Sequence, residues 1–301
     1  MKRLGFLSCL WLTSAMSFVG VGWAQTPSAD NKDGKQGAEP TAHILVRLPV
    51  RLYWNYLVVV EGSIGNLPKR SFLVDTGAYP SVIDEKIAMR LGLAGQPRKV
   101  NLSDKTVQTH QVILPSLSVG PIEATSFPVL VEDLSFFQKA FGKKIDAIVG
   151  LDVLRKSSFS INYETKEMFF GPAERLTFSA PFDTDLPVVT IRMGFPTQQL
   201  RLVVDTGGPD LMLLKSRMPP SFNLQELGTE TVSDVGGSFQ RRKVRIAEVN
   251  IGKETIGGQI AFVADDRKEE GDNFDGVLGM RGPQFRKIAF DFEHLTFSWE
   301  R

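Results

Sequence analysis

The feature that most constrains this chain is that it is written twice. SFLVDTG at residues 71–77 returns as RLVVDTG at 201–207, with the two aspartates 205−75=130 positions apart. TVQTHQVILPSLSVG at 106–120 aligns with SFQRRKVRIAEVNIG at 238–252, DAIVGLDVL at 146–154 with DGVLGMRG at 275–282, and SINYETKEMFF at 160–170 with AFDFEHLTFSW at 289–299. From Asp75 to Gly150 is 75 positions, and from Asp205 to Gly279 is 74. Four matches in one order at nearly equal spacing mark a tandem duplication of one structural unit. The joint falls near residues 171–185, giving an expected first lobe at 44–175 and a second at 176–301.

The repeated unit reads as β-rich. Short runs of Val, Ile, Leu and Phe (LVRLPV, YLVVVEG, SFLVD, HQVILPSLSVG, DAIVG) alternate with turn residues, the pattern of an all-β domain. Two stretches break it and predict short helices. Residues 81–91 place Ile83, Ile87 and Leu91 on one face with Gly92 as a C-cap, and residues 133–141 carry a similar apolar face closed by Gly142. In the second half the charged run 265–275 (DDRKEEGDNFD) replaces that second helix and reads as a solvated loop.

The N-terminus has the form of an export signal. Lys2 and Arg3 precede an uncharged apolar stretch at 4–21, and Gly22-Trp23-Ala24 supplies small residues at −3 and −1. Residues 1–24 are therefore expected to be a cleaved signal peptide; the alternative is an uncleaved anchor, since 4–24 could just span a bilayer. Residues 25–43 are polar, rich in Gly and Pro, and read as a disordered linker. The expected destination is outside the cytoplasm, periplasmic or secreted. The one cysteine, Cys9, lies inside the signal, so the mature chain has no disulfide framework, cysteine nucleophile or zinc-thiolate site. His43, His110 and His294 are scattered without ligand spacing, and neither a metal nor another cofactor is expected. The net charge of +1 becomes −1 without Lys2 and Arg3, at 33 basic against 34 acidic residues. No basic face argues for nucleic acid, and no basic amphipathic helix argues for a membrane surface.

The chemistry concentrates at the repeated Asp-Thr-Gly. Each aspartate ends an apolar strand, Phe72-Leu73-Val74 or Leu202-Val203-Val204, where an isolated charge is costly unless it is paired, solvated or functional. The glycine permits close approach of the chain, and the threonine can hydrogen-bond across to its counterpart. If the halves pack about a pseudo-twofold axis, Asp75 and Asp205 meet on it. Two carboxylates that close share one proton, so one can act as general base on a water while the other polarises a carbonyl. A lone Asp-Thr-Gly is an ordinary turn. Two copies at one repeat position make a site.

These motifs resemble the pepsin and retropepsin group of aspartic proteases in a single-chain form. The residues that carry the likeness are FLVDTGAYPSVI at 72–83, LVVDTGGPDLMLL at 202–214, AIVGLDVL at 147–154 and GVLGM at 276–280. The resemblance implies an all-β bilobal fold, two duplicated barrel-like lobes with short helices, and an endopeptidase acting on peptide or protein substrates as a monomer. By similarity Asp75 and Asp205 form the catalytic pair, Thr76 and Thr206 a threonine grip, and Gly77 and Gly207 donate amides near the carboxylates. Flap hairpins over the cleft would have tips at Ser103, Asp104 and Lys105 and at Gly236 and Gly237, against the simpler reading of ordinary turns. Ala78 and Gly208 stand where pepsin-like enzymes carry a hydroxyl. Without it the pair is expected to titrate higher, with a less acidic optimum. Tyr79 either walls the cleft or packs beside Pro80. Asp152 is expected to cap the short helix after Gly150. The competing reading is a peptide-binding or envelope-assembly protein that kept the fold and lost turnover.

Overall fold

The computed structural model describes residues 5–6, 45–101, 106–183, 186–193, 197–219, 222, 224–234, 237–265 and 274–301. The expected signal and linker fall outside the described residues, apart from Gly5–Phe6, which pairs in parallel with Val232 and Ser233. Among the described residues no helix is long and apolar enough to cross a membrane.

The duplication is visible strand by strand. In the first lobe six strands close into a ring in the order Leu57–Ile64, Leu67–Val74, Ala147–Val149, Val82–Asp84, Ile122–Glu132, Thr106–Val119, the last pairing back onto the first at Ser63 and Ile64. In the second lobe Val188–Met193, Gln198–Asp205, Gly276–Gly279, Leu211–Leu214, Glu254–Ala264 and Gly237–Ile251 close in the same order. Closure leaves those strands without an open edge. Alternation such as Val188–Met193, buried at Val188, Val189, Ile191 and Met193 and exposed at Thr190 and Arg192, turns one face into each lobe's core. The short strands at the centre are apolar throughout: Ala147–Val149 and Leu211–Leu214 are buried at every position, as strands covered on both faces must be.

A third sheet joins the lobes. Its order is Phe178–Pro181, Thr296–Glu300, Lys287–Asp291, Phe159–Asn162, Glu167–Phe170, Val46–Pro49. The antiparallel pair at its middle, Phe159↔Phe290 and Ile161↔Ile288, brings together equivalent strands of the two repeats, and the pseudo-twofold axis runs between them. The rings of Phe159 and Phe290 lie 5.0 Å apart, and Phe297 and Trp299 stack at 5.2 Å. Each such fully buried aromatic stabilises the junction by roughly 2–3 kcal/mol.

One expected helix is shorter than its apolar spacing suggested. Only Glu85–Arg90 is helical, while Val82–Asp84 is a buried strand pairing with both Ala147–Ile148 and Leu130–Glu132. Val82 and Ile83 are wanted in the ring, and that tertiary demand overrides the local helical pattern. Asp84 then caps the helix by accepting the Lys86 N–H at 3.2 Å, and Gly92 takes the left-handed conformation beyond its end, at φ 65°. The second expected helix forms at Ser135–Phe141 and stops at Gly142, φ 73°. Of the charged run 265–275, residues 266–273 lie outside the described residues.

Candidate active site

In each lobe the aspartate sits where a buried strand ends beside a parallel neighbour. Val149 and Val74 are partners in the first lobe, and Asp205 and Gly279 in the second. The apolar-apolar-Gly element behind each loop must be glycine for a steric reason. A Cβ on Gly150 would stand 2.4 Å from the Ala78 carbonyl oxygen, and one on Gly279 would stand 2.6 Å from Asp210 main-chain atoms. That close approach lets the Leu151 N–H donate to the Ala78 carbonyl and the Met280 N–H to the Gly208 carbonyl, both at 2.9 Å. The two loops are thus braced by the same bond in the same place.

The threonines cross between the lobes. The Thr76 N–H donates to Thr206 Oγ1 and the Thr206 N–H to Thr76 Oγ1, each at 3.0 Å. The Thr76 hydroxyl donates to the Val204 carbonyl at 2.7 Å, and the Thr206 hydroxyl to the Val74 carbonyl at 2.8 Å. Four reciprocal bonds, all buried, fix one loop against the other.

This grip sets the carboxylates against the opposing glycines. Asp75 Oδ1 accepts the Gly77 N–H and Asp205 Oδ1 the Gly207 N–H, both at 2.8 Å. A Cβ on Gly77 would lie 2.5 Å from Asp205 Cγ, and one on Gly207 2.5 Å from Asp75 Cγ. No side chain larger than hydrogen fits at either position. Asp75, Thr76, Asp205 and Thr206 are all at 0% exposure. The structure therefore brings together the six residues singled out from the sequence, Asp75, Thr76, Gly77, Asp205, Thr206 and Gly207. A position after the glycine also faces the pair: a Cβ on Gly208 would sit 2.8 Å from Asp205 Oδ2.

Both expected hairpins exist, at Gln96–Asn101 with Thr106–Val119 and at Gln225–Asp234 with Gly237–Ile251. The tip residues Ser103, Asp104, Lys105 and Gly236 lie outside the described residues. Gly237 opens a strand and pairs with Asp234. Tyr79 is 37% exposed and carries the Arg155 guanidinium 5.8 Å above its ring, so it is not buried against Pro80.

Asp152 departs from its expected role. Gly150 is the N-cap of the Leu151–Leu154 turn and no side chain caps it. The Asp152 carboxylate instead accepts the Ser81 N–H at 2.9 Å and the Ser81 hydroxyl at 2.6 Å, and the Gly150 N–H donates to Ser81 Oγ at 2.9 Å. Burial raises the Asp152 carboxyl above the usual aspartate range, with the Ser81 bonds opposing the shift. Two further aspartates were not singled out from the sequence. Asp146 accepts the Ser71 N–H at 2.9 Å, and Asp275, its counterpart, accepts the Arg201 N–H at 2.8 Å. Their repetition in DAIVG and DGVLG was the available signal. Among the described residues no group of three or more His, Cys, Asp or Glu could hold a metal ion.

A family model described as aspartyl protease matches residues 60–153 and again 189–281, once in each lobe. Protein DDI1 homolog 1 of Caenorhabditis elegans is 26% identical over 171 residues, which are 54% of this chain. The match spans 41% of that protein's own length.

Proposed function

The chain belongs to the aspartyl protease family, and on that premise we propose that it is an aspartic endopeptidase, hydrolysing peptide bonds with water activated between Asp75 and Asp205. The observation that carries the reading is the reciprocal Thr76–Thr206 bonding, which supports two equivalent carboxylates meeting on one axis inside a buried frame. Carboxylates in this relation share a single proton. The ionised member takes a proton from the attacking water. The protonated member donates to the scissile carbonyl oxygen and so stabilises the charge that develops there. Collapse of the tetrahedral species transfers a proton to the leaving amine and restores the pair. No covalent intermediate is required.

The substrate is an extended peptide or protein segment held by strand-like main-chain bonds. One chain supplies both aspartates, so the site is complete in a monomer. The residue after each Asp-Thr-Gly, Ala78 or Gly208, offers no hydroxyl to favour an ionised carboxylate, and the optimum lies at less acidic pH than that of a pepsin-like enzyme. Lys2, Arg3 and the apolar stretch that follows support action outside the cytoplasm, in a periplasm or secreted.

The test is cleavage of a mixed peptide library by the mature protein from about pH 3 to pH 8, the range over which such a pair titrates. The wild type is expected to cut, with an optimum above about pH 4. Peptide binding without any cleavage would replace the enzyme with a binding protein of the same fold.

A further inference from the structure

The two Asp-Thr-Gly loops leave the carboxylate pair differently. In the second lobe the chain stays covered: Gly208, Pro209, Asp210 and Leu211 are all buried. The Arg281 guanidinium that reaches this loop is engaged by Asp210, with Nε 3.2 Å from Oδ1. In the first lobe Ala78 is buried but Tyr79 is exposed, the first residue after Asp75 to meet solvent. The Arg155 guanidinium lies over its ring, 5.8 Å from the centroid. Arg155 closes the Leu151–Leu154 turn, its N–H donating to the Leu151 carbonyl at 3.2 Å, and it too is exposed. Among the described residues no carboxylate pairs with it. Asp152, three residues back on the same turn, is taken up by Ser81 instead.

The distance of this stack from the carboxylates is limited by the chain. Gly77 lies against Asp205, so close that a Cβ there would stand 2.5 Å from Cγ. Tyr79 is two residues further on, at most about 7.6 Å by Cα steps of ~3.8 Å. The Leu151 N–H donates to the Ala78 carbonyl at 2.9 Å, which ties the turn that carries Arg155 to the loop that carries Tyr79. An extended peptide bound across the pair advances about 3.3 Å per residue, so the guanidinium meets side chains no more than about four residues from the scissile bond. A guanidinium resting on an aromatic face keeps its N–H groups directed outward in its own plane, the geometry that a carboxylate meets with two bonds. The ring also restrains the long side chain, which lowers the ordering cost of meeting an anion.

We infer that Tyr79 and Arg155 form a specificity subsite on the first-lobe side of the cleft, where the Arg155 guanidinium, supported by the Tyr79 ring, binds a carboxylate side chain of the peptide substrate. The second lobe offers no equivalent, since its loop is buried and Arg281 already holds Asp210. The preference therefore belongs to one side of the scissile bond. The inference rests on the peptide-hydrolase reading above and adds to it a substrate class, peptides with Asp or Glu near the cut.

The experiment takes a peptide that the mature wild type cleaves from the library and walks Glu, and in a matched set Gln, through the positions on either side of the bond, measuring kcat/KM. The expected result is a preference for Glu over Gln of about fivefold at one position, the size of a solvent-facing ion pair. That ratio falls toward one as salt is raised from about 0.05 to 0.5 M. Arg155→Gln abolishes the ratio and Arg155→Glu inverts it, with the thermal midpoint close to wild type because the side chain is exposed. Tyr79→Leu lowers the ratio whereas Tyr79→Phe keeps it, a difference that a cation on an aromatic face requires. Lys156→Gln removes the neighbouring exposed charge and keeps the ratio as well. A wild-type ratio near one at every position, or a loss in Lys156→Gln equal to that in Arg155→Gln, overturns the inference while leaving the enzyme reading intact. A wild type that cuts no peptide at all brings down the reading itself, and the subsite with it.

Discussion

The two lobes hold equivalent loops with opposite chemistry. In the first, Ser81 is tied to the half-buried carboxylate of Asp152 through its N–H and its hydroxyl. In the second, Arg281 occupies the position of Asp152, two residues past the bracing glycine, and grips Asp210, one place before the counterpart of Ser81. Asp210 is buried, whereas the Arg281 side chain is 46% exposed. The main-chain bonds behind the loops did not diverge: Leu151 to Ala78 and Met280 to Gly208 are the same length. Nor did the threonine grip. What must be symmetric is the frame that brings the carboxylates together. The side-chain locks that steady each loop from behind were free to change, provided that the carboxylate of each lock kept a partner.

The comparison can be broken at three levels. The largest effect is expected at the bracing glycines. Gly150→Ala and Gly279→Ala each force a methyl into main-chain atoms that cannot step aside, and each should destabilise by more than about 4 kcal/mol, seen as loss of the cooperative unfolding transition. Tolerance in one lobe alone would show that the frame is less symmetric than its bond lengths.

The threonines come next. Thr76→Val and Thr206→Val each remove a donor and leave the partner's buried N–H without its acceptor, at a cost of about 2–3 kcal/mol in denaturant unfolding. The two losses should agree within about 0.5 kcal/mol if the grip is reciprocal. A large inequality would assign the grip to one lobe.

The smallest effect separates the locks. Burial raises the Asp152 carboxyl in the folded state above its unfolded value, so the folded chain binds that proton more readily. Its contribution to stability is therefore complete below the unfolded pKa and is lost as pH rises through the raised folded value. The midpoint of wild type relative to Asp152→Asn should fall as pH rises above the ordinary aspartate range. A difference that is flat or grows with pH would contradict the account. Arg281, which stays charged throughout, contributes no such pH dependence to the second lobe's lock.

The sequence made the frame legible because duplication writes it twice. A carboxylate after an apolar strand is ambiguous once, and Asp75 with Asp205 is not. The glycines behind the loops were legible for the same reason. Symmetry-breaking residues were harder to read. Asp152 looked like a helix cap because its partner Ser81 is distant in sequence, and Val82–Asp84 looked helical because a short apolar run carries no clear period.

The central claim is that Asp75 and Asp205 act as one unit, and a double-mutant cycle of peptide hydrolysis tests it most directly. Asp75→Asn and Asp205→Asn should each lower kcat by about a thousandfold or more with folding intact, and the double variant should be no slower than either single one, since half of the unit does nothing alone. Substantial turnover in one single variant, or losses that multiply in the double, would contradict it.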